Sequence, residues 1–262
     1  MAGRRPGEGG EAACLHAGGR PAAWGNLGLW RRADDDYAGA CEALARAVGE
    51  AAALRPGDRV LSLACGAGEE LVLWRTAFGA GALVGIEADR ARAREAAARV
   101  PDAAVLAQPV LDALAGLPQA FDAVLCVDAA YHLRPRPRLF EQVAGRLVPG
   151  GRFVFTDLVL DRGPSLLVRA AARAAGVPHA DLVDLPTRVA QLRAAGFAEV
   201  VATRLDEPVL GGFARFAAAQ ERRFGFRAWQ PAWRRAAVTA RLIGPCRRGG
   251  LGYALYAATR AG

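Results

Sequence analysis

A pair of glycines and a later carboxylate are the residues whose types and spacing point most directly to ligand chemistry. Gly66 and Gly68 stand directly after the apolar run at residues 59–64 and before a helical pattern. Because glycine has no Cβ, such a loop lets the backbone approach a ligand closely. Glu87 follows the next apolar run, at 82–86. This order predicts a ligand site, with a tight turn as the alternative for the glycines and a solvated helix cap as the alternative for Glu87.

The same loop excludes two nucleotide-binding motifs. A dinucleotide fingerprint has a third glycine three residues after Gly68, where a pyrophosphate rests on the helix N-terminus, and this chain has Leu71 there. A P-loop needs a lysine after its glycines, and the sequence contains no lysine. The site is therefore not predicted to hold NAD or a nucleoside triphosphate.

A second group of polar side chains follows the apolar run at 122–127 and consists of Asp128, Tyr131 and His132. Histidine titrates near neutral pH, and open α/β sheets place their ligands at the carboxyl ends of strands. We therefore expect His132 to act as a general base, while Asp128 and Tyr131 position the acceptor molecule. The alternatives are a capping or packing histidine, core packing for Tyr131 and an ordinary strand-end acid for Asp128.

Aromatic and basic residues elsewhere add candidates for contact with an acceptor. Trp229 and Trp233 lie one helical turn apart. An aromatic wall suits a flat ring or an isoprenoid, although helical spacing is more typical of core packing. Arginines alternate with prolines at positions 134, 136 and 138. Guanidinium groups bind phosphate or carboxylate, and the alternative is that these arginines are simply solvated.

Composition excludes several classes of protein. The chain has 262 residues, of which 53% are hydrophobic and 23% charged, which is enough apolar surface to form a core. No uncharged run reaches the roughly 20 residues of a membrane span. The N-terminus lacks the apolar stretch of a signal peptide, so we expect a cytoplasmic protein. The net charge is +8, but all the basic residues are arginines spread over the chain, which argues against a nucleic-acid partner. Five scattered cysteines and three histidines predict no bound metal.

Short apolar strands alternate with helical patterns along the chain. This alternation is typical of βαβ units and of a parallel sheet covered on both faces. The predicted strands are 59–64, 82–86, 103–107, 122–127, 152–157, 198–204 and 252–259, and a loop follows the third strand. The predicted helices include 68–78, 89–99, 136–147 and 164–175. The predicted fold class is therefore α/β, doubly wound.

A resemblance to the class I S-adenosylmethionine-dependent methyltransferases begins at the first strand and its glycine loop, Leu61-Ser62-Leu63-Ala64-Cys65-Gly66-Ala67-Gly68. Five further segments agree in order and spacing, namely Gly85–Glu87, Phe121–Leu125, Leu147–Phe153, Leu192–Phe197 and Leu251–Leu255. The resemblance covers roughly residues 24 to 260. It implies a Rossmann-like, mostly parallel seven-stranded sheet with an antiparallel last strand and helical cap insertions.

The resemblance also implies S-adenosyl-L-methionine as the cofactor. Carried over position by position, the cofactor contacts are Ser62, Ala64, Cys65, Gly66, Gly68, Glu87, Ala88, Gln108, Pro109 and Asp128, with Glu87 on the ribose hydroxyls. Two positions depart from the family pattern. Ser62 replaces the acid of the first strand, and Gln108 replaces the acid that contacts adenine, with Asp112 as a displaced substitute.

Two segments, Asn26–Trp30 and Asp128–Leu133, resemble the small-molecule branch of the family, the methyltransferase type 11 or quinone- and tocopherol-like enzymes. In that branch the N-terminal segment closes over cofactor and acceptor. Together with the aromatic candidates, this resemblance leads us to expect contacts to the acceptor from Trp30, Tyr131, His132 and Trp229.

We therefore expect a single methyltransferase domain at residues 21–262 after a mobile tail at residues 1–20. It would comprise a cap helix at 21–58, a cofactor-binding core at 59–161, and substrate-side helices with the last two strands at 162–262. The expected activity is methyl transfer to a small, apolar or aromatic secondary metabolite. The alternatives are an enzyme of this fold that catalyses cyclisation or rearrangement, and a cofactor-binding protein without catalysis. The acceptor, the O-, N- or C-character of the new bond and the oligomeric state do not follow from the sequence.

Overall fold

Short apolar runs pair into one seven-stranded sheet in the described part of the chain. The structure is a computed structural model, and it describes residues 10–20, 22–32, 35–118, 121–177 and 181–262. The strands are β1 Arg59–Leu63, β2 Ala82–Ile86, β3 Ala104–Leu106, β4 Phe121–Cys126, β5 Leu147–Leu160, β6 Phe197–Arg204 and β7 Leu251–Arg260. Their order across the sheet is β3-β2-β1-β4-β5-β7-β6.

The direction of the strands agrees with the predicted fold class. β7 pairs antiparallel with both β5 and β6, whereas the pairs β1–β2, β1–β4, β2–β3 and β4–β5 are parallel. The prediction of a doubly wound, Rossmann-like α/β sheet with an antiparallel last strand is thus confirmed. The strand order reverses at β1 and β4. Their carboxyl ends therefore flank a crevice of the kind in which open α/β sheets bind ligands.

Helices surround this sheet. They are α1 Gly10–Leu15, α2 Tyr37–Ala51, α3 Glu69–Phe78, α4 Arg90–Arg99, α5 Val110–Gly116, α6 Arg136–Arg146, α7 Leu166–Ala174, α8 Leu185–Ala194, α9 Gly212–Phe224 and α10 Pro231–Arg248. A 3-10 turn, Ala130–His132, follows β4, and a π-helical segment, Asp206–Gly211, runs directly into α9. Asp36 begins α2 by accepting a hydrogen bond from the Gly39 N–H, which satisfies one of the amide groups that a first turn leaves unpaired.

The side chains of the strands alternate between two apolar layers, because successive residues of a strand point to opposite faces of the sheet. On β5, Val154 belongs to the layer that contains Trp74 of α3. Its neighbours Phe153 and Phe155 belong to the other layer, where both contact the ring of Phe140 on α6. Packing on both faces fixes the strands and therefore the positions of the loops at their carboxyl ends.

Residues 10–20 differ from the mobile tail that the sequence predicts, because they fold onto the domain. Leu15 is buried, and α1 packs against α10. The side-chain amide of Gln220 donates to the carbonyl oxygens of Leu15 and Ala17 at 3.4 and 3.2 Å. This stretch contains a single large apolar residue, so no periodicity reveals the helix in the sequence. Residues 1–9 of the predicted tail lie outside the described residues.

The segment after β3, predicted as a loop, forms α5. Its apolar residues Val110, Ala113 and Leu114 are buried on one side of the helix. The helix is only seven residues long. A run of this length is too short for helical periodicity to be distinguished from an irregular apolar segment. The correction matters for the site, because the start of α5 forms one of its walls.

Candidate functional site

A cavity of about 700 Å³ lies at the carboxyl ends of β1, β2 and β4. Its walls are formed by the N-terminal segment at residues 23–26, the loop after β1, the start of α5 and the segment after β4. Of the residues that the sequence predicts as contacts, the following line it: Ala64, Cys65, Gly66, Glu87, Ala88, Pro109, Asp128, Tyr131 and His132. The fold thus brings the glycine loop, the acid after β2 and the polar group after β4 to one cavity.

Gly66 presents bare backbone to this cavity. Its φ is +56°, in the left-handed region that favours glycine, and a Cβ built on it would meet no atom within 4 Å. The Gly66 N–H donates to Oε2 of Glu87 at 2.9 Å, and the other carboxylate oxygen accepts from the Asp89 N–H at 2.9 Å. Glu87 therefore ties the glycine loop to the end of β2 while it lines the cavity.

Gly68 has a packing role, and its predicted cofactor contact stays a prediction. Its φ is +88°, and a Cβ there would come within 2.8 Å of the Cα of Ala96 on α4. Gly68 is not among the residues that line the cavity. Glycine is needed at this position because the start of α3 and the middle of α4 approach each other so closely. Loop spacing in the sequence cannot distinguish this close approach from a ligand contact.

Ser62, another predicted cofactor contact, lies fully buried behind the cavity wall. Its hydroxyl donates to Oε2 of Glu70 at 3.1 Å, and Glu70 is the member of this pair that lines the cavity. Glu70 is 7% exposed, and burial raises the pKa of its carboxyl group to about 8. Glu70 is not among the residues that the sequence predicts. Its place one helical turn after the glycines, beside a serine where the family has an acid, was the available signal.

Asp128 connects four separate parts of the chain. Its Oδ1 accepts from the hydroxyl groups of Tyr131 at 3.0 Å and Tyr253 at 2.7 Å, and its Oδ2 accepts from the Leu27 N–H at 2.7 Å. Its own N–H donates to Oγ1 of Thr156 at 2.7 Å. Burial raises the pKa of Asp128 to about 6, although the donated hydrogen bonds oppose that shift. Asp128 thus holds the cavity wall and the N-terminal segment together.

His132 lines the cavity, and its side chain is exposed to solvent. Its ring makes an edge contact with the ring of Tyr131, with 4.5 Å between centroids. Desolvation by the surrounding protein lowers the pKa of His132. The positive charges of Arg235, Arg136 and Arg134 lower this pKa further. The imidazole is therefore neutral at pH 7 and able to accept a proton.

Gln108 is exposed and does not line the cavity, and its contact with the cofactor stays a prediction. Pro109 and Asp112 line the cavity instead. Pro109 and Asp112 reach the cavity because α5 begins directly after Pro109 and Asp112 lies in its first turn. Asp112 therefore lines the cavity, and its role as a substitute for the acid that contacts adenine stays a prediction.

Two predicted aromatic contacts lie outside the cavity wall. Trp30 is buried and stacks on Phe216, with 4.5 Å between ring centroids. Trp229 is 77% exposed and stands just before α10. Trp24, which the sequence analysis did not select, is buried and lines the cavity. The N-terminal segment therefore reaches the site, but through an earlier tryptophan than predicted.

Features of metal-binding and membrane-spanning proteins are absent from the described residues. No group of three or more His, Cys, Asp or Glu side chains is placed there to bind a metal ion. The cysteines Cys14, Cys41, Cys65, Cys126 and Cys246 are free thiols. No helix in the described ranges has the length and apolar character needed to cross a membrane.

Comparison with known proteins places the chain in a family. The model of a family described as "Methyltransferase domain" matches residues 30–202. The chain is 29% identical over 189 residues to erythromycin 3''-O-methyltransferase of Saccharopolyspora erythraea, covering 67% of this chain and 62% of that protein. It is 33% identical over 186 residues to 27-O-demethylrifamycin SV methyltransferase of Amycolatopsis mediterranei, covering 66% of this chain and 67% of that protein. The match thus spans less than two thirds of the first of these relatives.

A solved structure supports the fold over almost the whole length. The [4+2]-cyclase SpnF has a TM-score of 0.68 and 20% identity, covering 96% of this chain and 94% of that one. Identity this low shows the fold alone. The family match, in contrast, extends over more than half of the chain and includes the glycine loop, Glu87 and the polar group after β4. The chain therefore belongs to the methyltransferase domain family, as its motifs predict.

Proposed function

We propose that this protein transfers a methyl group from S-adenosylmethionine to an oxygen atom of a small secondary metabolite. The observation that carries the proposal is one shared cavity, in which the backbone of Gly66 and the carboxylate of Glu87 face the same space as His132. The two sequence relatives are named for erythromycin and for a demethylrifamycin, and the first is named as an O-methyltransferase. These names support a small acceptor and an oxygen nucleophile.

The residues of the cavity fit this cofactor. S-adenosylmethionine carries positive charge on its sulfonium and ammonium groups, and the cavity is lined by five acidic side chains, those of Glu69, Glu70, Glu87, Asp112 and Asp128. The open space at Gly66 leaves room for a ligand against the backbone. Glu87 would hold the ribose, and the start of α5 at Pro109 would contact the base. When bound, the cofactor would supply a methyl group activated by its sulfonium, and an acceptor oxygen would bond to that methyl carbon as the methyl–sulfur bond breaks and S-adenosylhomocysteine leaves.

The chain itself has to remove one proton and exclude water. His132 accepts the proton that the acceptor hydroxyl loses as its oxygen forms the new bond. Tyr131, held by Asp128, forms the wall beside the imidazole. The N-terminal segment covers the cavity, because the Leu27 N–H donates to Asp128 and the Ala23 N–H donates to the side chain of Glu69 at 2.8 Å. These bonds hold the N-terminal segment against one wall of the cavity.

A product assay tests the proposal against its alternatives. The purified protein is incubated with methyl-labelled S-adenosylmethionine and a panel of hydroxylated macrolides, ansamycins and phenols. We expect labelled product and S-adenosylhomocysteine in equal amounts, with the label on oxygen. An acceptor that changes structure without S-adenosylhomocysteine being formed would support cyclisation or rearrangement. Cofactor binding without turnover of any acceptor would support a non-catalytic protein.

We propose further that the positive net charge does not serve nucleic-acid binding. The charge arises from arginines distributed over the whole chain. A gel shift at physiological salt should show weak binding that is independent of nucleotide sequence and is lost steeply as salt increases. Tight binding of RNA or DNA that survives added salt would contradict this.

A further inference from the structure

Glu70 lies between the two strand ends that carry the other parts of the site. It belongs to the first turn of α3, which follows β1, and in the sheet β1 lies between β2 and β4. The negative charges of Glu87, after β2, and of Asp128, after β4, both act on its carboxyl group. Glu70 is thus placed between the proposed ribose contact at Glu87 and the polar group that contains His132.

The carboxyl group of Glu70 is held through one of its two oxygens. The Ser62 hydroxyl donates to Oε2 at 3.1 Å, and the indole N–H of Trp74 lies 3.5 Å from the same hydroxyl oxygen. An indole nitrogen can only donate, so this arrangement directs the hydroxyl proton towards Glu70. Within the described ranges no group donates to Oε1 of Glu70, although the residue is only 7% exposed.

The other acidic side chains of the cavity are either bound within the protein or exposed. More than one hydrogen bond from the chain is accepted by each of Glu69, Glu87 and Asp128. Asp112 is exposed. Four arginines also line the cavity from elements other than α3, namely Arg92, Arg134, Arg138 and Arg235. Among the described residues of this wall, Glu70 is therefore the buried acid that keeps an oxygen available for a ligand.

A buried acid of this kind fits a cation that brings its own N–H donors. The α-ammonium group of S-adenosylmethionine has three such donors, whereas the sulfonium has none. An ammonium group that leaves water needs new acceptors, and charge-assisted bonds to a carboxylate are the strongest it can form. We propose that the Glu70 carboxylate binds the α-ammonium group of the cofactor, and that Glu70 releases a proton to solvent when the cofactor binds. The inference rests on the proposed function and deepens it.

Proton release follows from the surroundings of Glu70. Burial raises the pKa of its carboxyl group to about 8, the hydrogen bond from Ser62 opposes this shift, and the charges of Asp128 and Glu87 add to it. The thiols of Cys65 and Cys126 are the other titratable groups nearby, and burial raises the pKa of both. At pH 7 the ligand-free protein therefore holds Glu70 mainly as the neutral acid. An ammonium group beside it favours the ionised form.

A thermodynamic cycle between protein and ligand tests the contact. The variant is Glu70→Gln, which is similar in size and can still accept from Ser62. The ligands are S-adenosylhomocysteine and its analogue with hydrogen in place of the α-amino group. By calorimetry at pH 8, we expect Glu70→Gln to bind S-adenosylhomocysteine roughly 10- to 100-fold more weakly than the unmodified protein does, and the analogue within about 2-fold. Glu50→Gln, at an exposed position of α2, is the control and should leave both affinities unchanged. Circular dichroism verifies that each variant is folded.

Calorimetry in buffers of different ionisation enthalpy measures the proton. At pH 7 we expect the unmodified protein to release about one proton for each S-adenosylhomocysteine bound, so the affinity should increase as the pH rises towards 8. Glu70→Gln with the same ligand, and the unmodified protein with the analogue, should release almost none. Equal weakening of the two ligands in Glu70→Gln, no weakening of either, or no proton release from the unmodified protein would overturn the inference.

These outcomes are separable from those of the proposed function. If S-adenosylhomocysteine does not bind to the unmodified protein, the cofactor and its contact with Glu70 are both rejected. If S-adenosylhomocysteine binds and the labelled methyl group is transferred, but Glu70→Gln weakens the two ligands equally, the proposed function is retained and the role of Glu70 alone is rejected.

Discussion

The backbone N–H of Leu27 donates to Oδ2 of Asp128 at 2.7 Å, joining residues that are 101 positions apart. This bond attaches the N-terminal segment to the carboxyl end of β4. The other oxygen of the same carboxylate accepts from the hydroxyl groups of Tyr131 and Tyr253. A single side chain therefore fixes both the cover of the cavity and its wall, and its loss should affect the two together.

Replacing Asp128 with Asn tests this connection. The amide has one acceptor oxygen where the carboxylate has two, so either Leu27 or the tyrosines lose their partner. We expect roughly 10-fold weaker S-adenosylhomocysteine binding by calorimetry and faster trypsin cleavage at Arg31 or Arg32. Glu50→Gln, at an exposed position of α2, is the control. Protease sensitivity equal to that of the control would show that Asp128 does not hold the segment.

The two glycines after β1 should differ in what they contribute. Gly68→Ala forces a methyl group against the backbone of Ala96 at a positive φ, and the free energy of unfolding should fall by roughly 2–5 kcal/mol. Gly66→Ala meets open space, so it should cost only about 1–2 kcal/mol of stability through its positive φ. Its added methyl group should nevertheless weaken cofactor binding. Denaturant unfolding and calorimetry on both variants measure the difference, and the reverse ranking in stability would contradict the packing role of Gly68.

Glu87→Ala should weaken S-adenosylhomocysteine binding by roughly 1.5–3 kcal/mol, which is the range for a hydrogen bond to a charged group. The variant loses the acceptors of the Gly66 and Asp89 N–H groups as well as the proposed ribose contact. Binding of S-adenosylhomocysteine is measured by calorimetry at one site per chain. An affinity equal to that of the unmodified protein would reject the ribose assignment.

His132→Ala should lower turnover by about 10²–10⁴-fold and leave cofactor affinity intact, as expected for the loss of a general base. Because desolvation and nearby arginines lower the pKa of His132, its neutral, active form predominates above the ordinary histidine pKa of about 6.5. The rate should therefore rise with pH below that value and level off above it. A pH profile without this rise, together with an active variant, would show that no base is needed.

Glu70 should make the ligand-free protein less stable as the pH rises. Burial raises the pKa of this acid to about 8, so between its ordinary value and pH 8 the folded state binds a proton that the unfolded state has released. Stability contributed by that proton is lost as pH rises through this interval. The fall in Tm from pH 5.5 to pH 9 should be at least about 3 °C larger for the unmodified protein than for Glu70→Gln. Parallel melting curves for the two proteins would contradict the buried carboxyl group.

Much of the fold follows from local patterns in the sequence. Apolar runs such as 59–64 and 82–86 predict the buried strands because burial on both faces requires them to be continuous and apolar. The glycines, Glu87 and the group from Asp128 to His132 mark the strand ends that meet at the cavity. Segments without enough apolar residues to show a period, such as α1 and α5, escaped prediction because their positions depend on the surface they pack against.

Which residues line the cavity depends on tertiary structure wherever the cavity wall is formed by elements that are distant in the sequence. Glu70 replaces Ser62 as the lining residue, and Trp24 replaces Trp30, because the lining is decided by how α3 and the N-terminal segment cross the strand ends. The apolar pattern of one helix or strand predicts which of its residues are buried. Buried side chains that line a cavity show the same pattern as buried side chains elsewhere in the core, so the pattern does not distinguish them. The sequence by itself determined the family, the sheet and the strand ends, whereas only the packing of separate elements decided which side chains face the cavity.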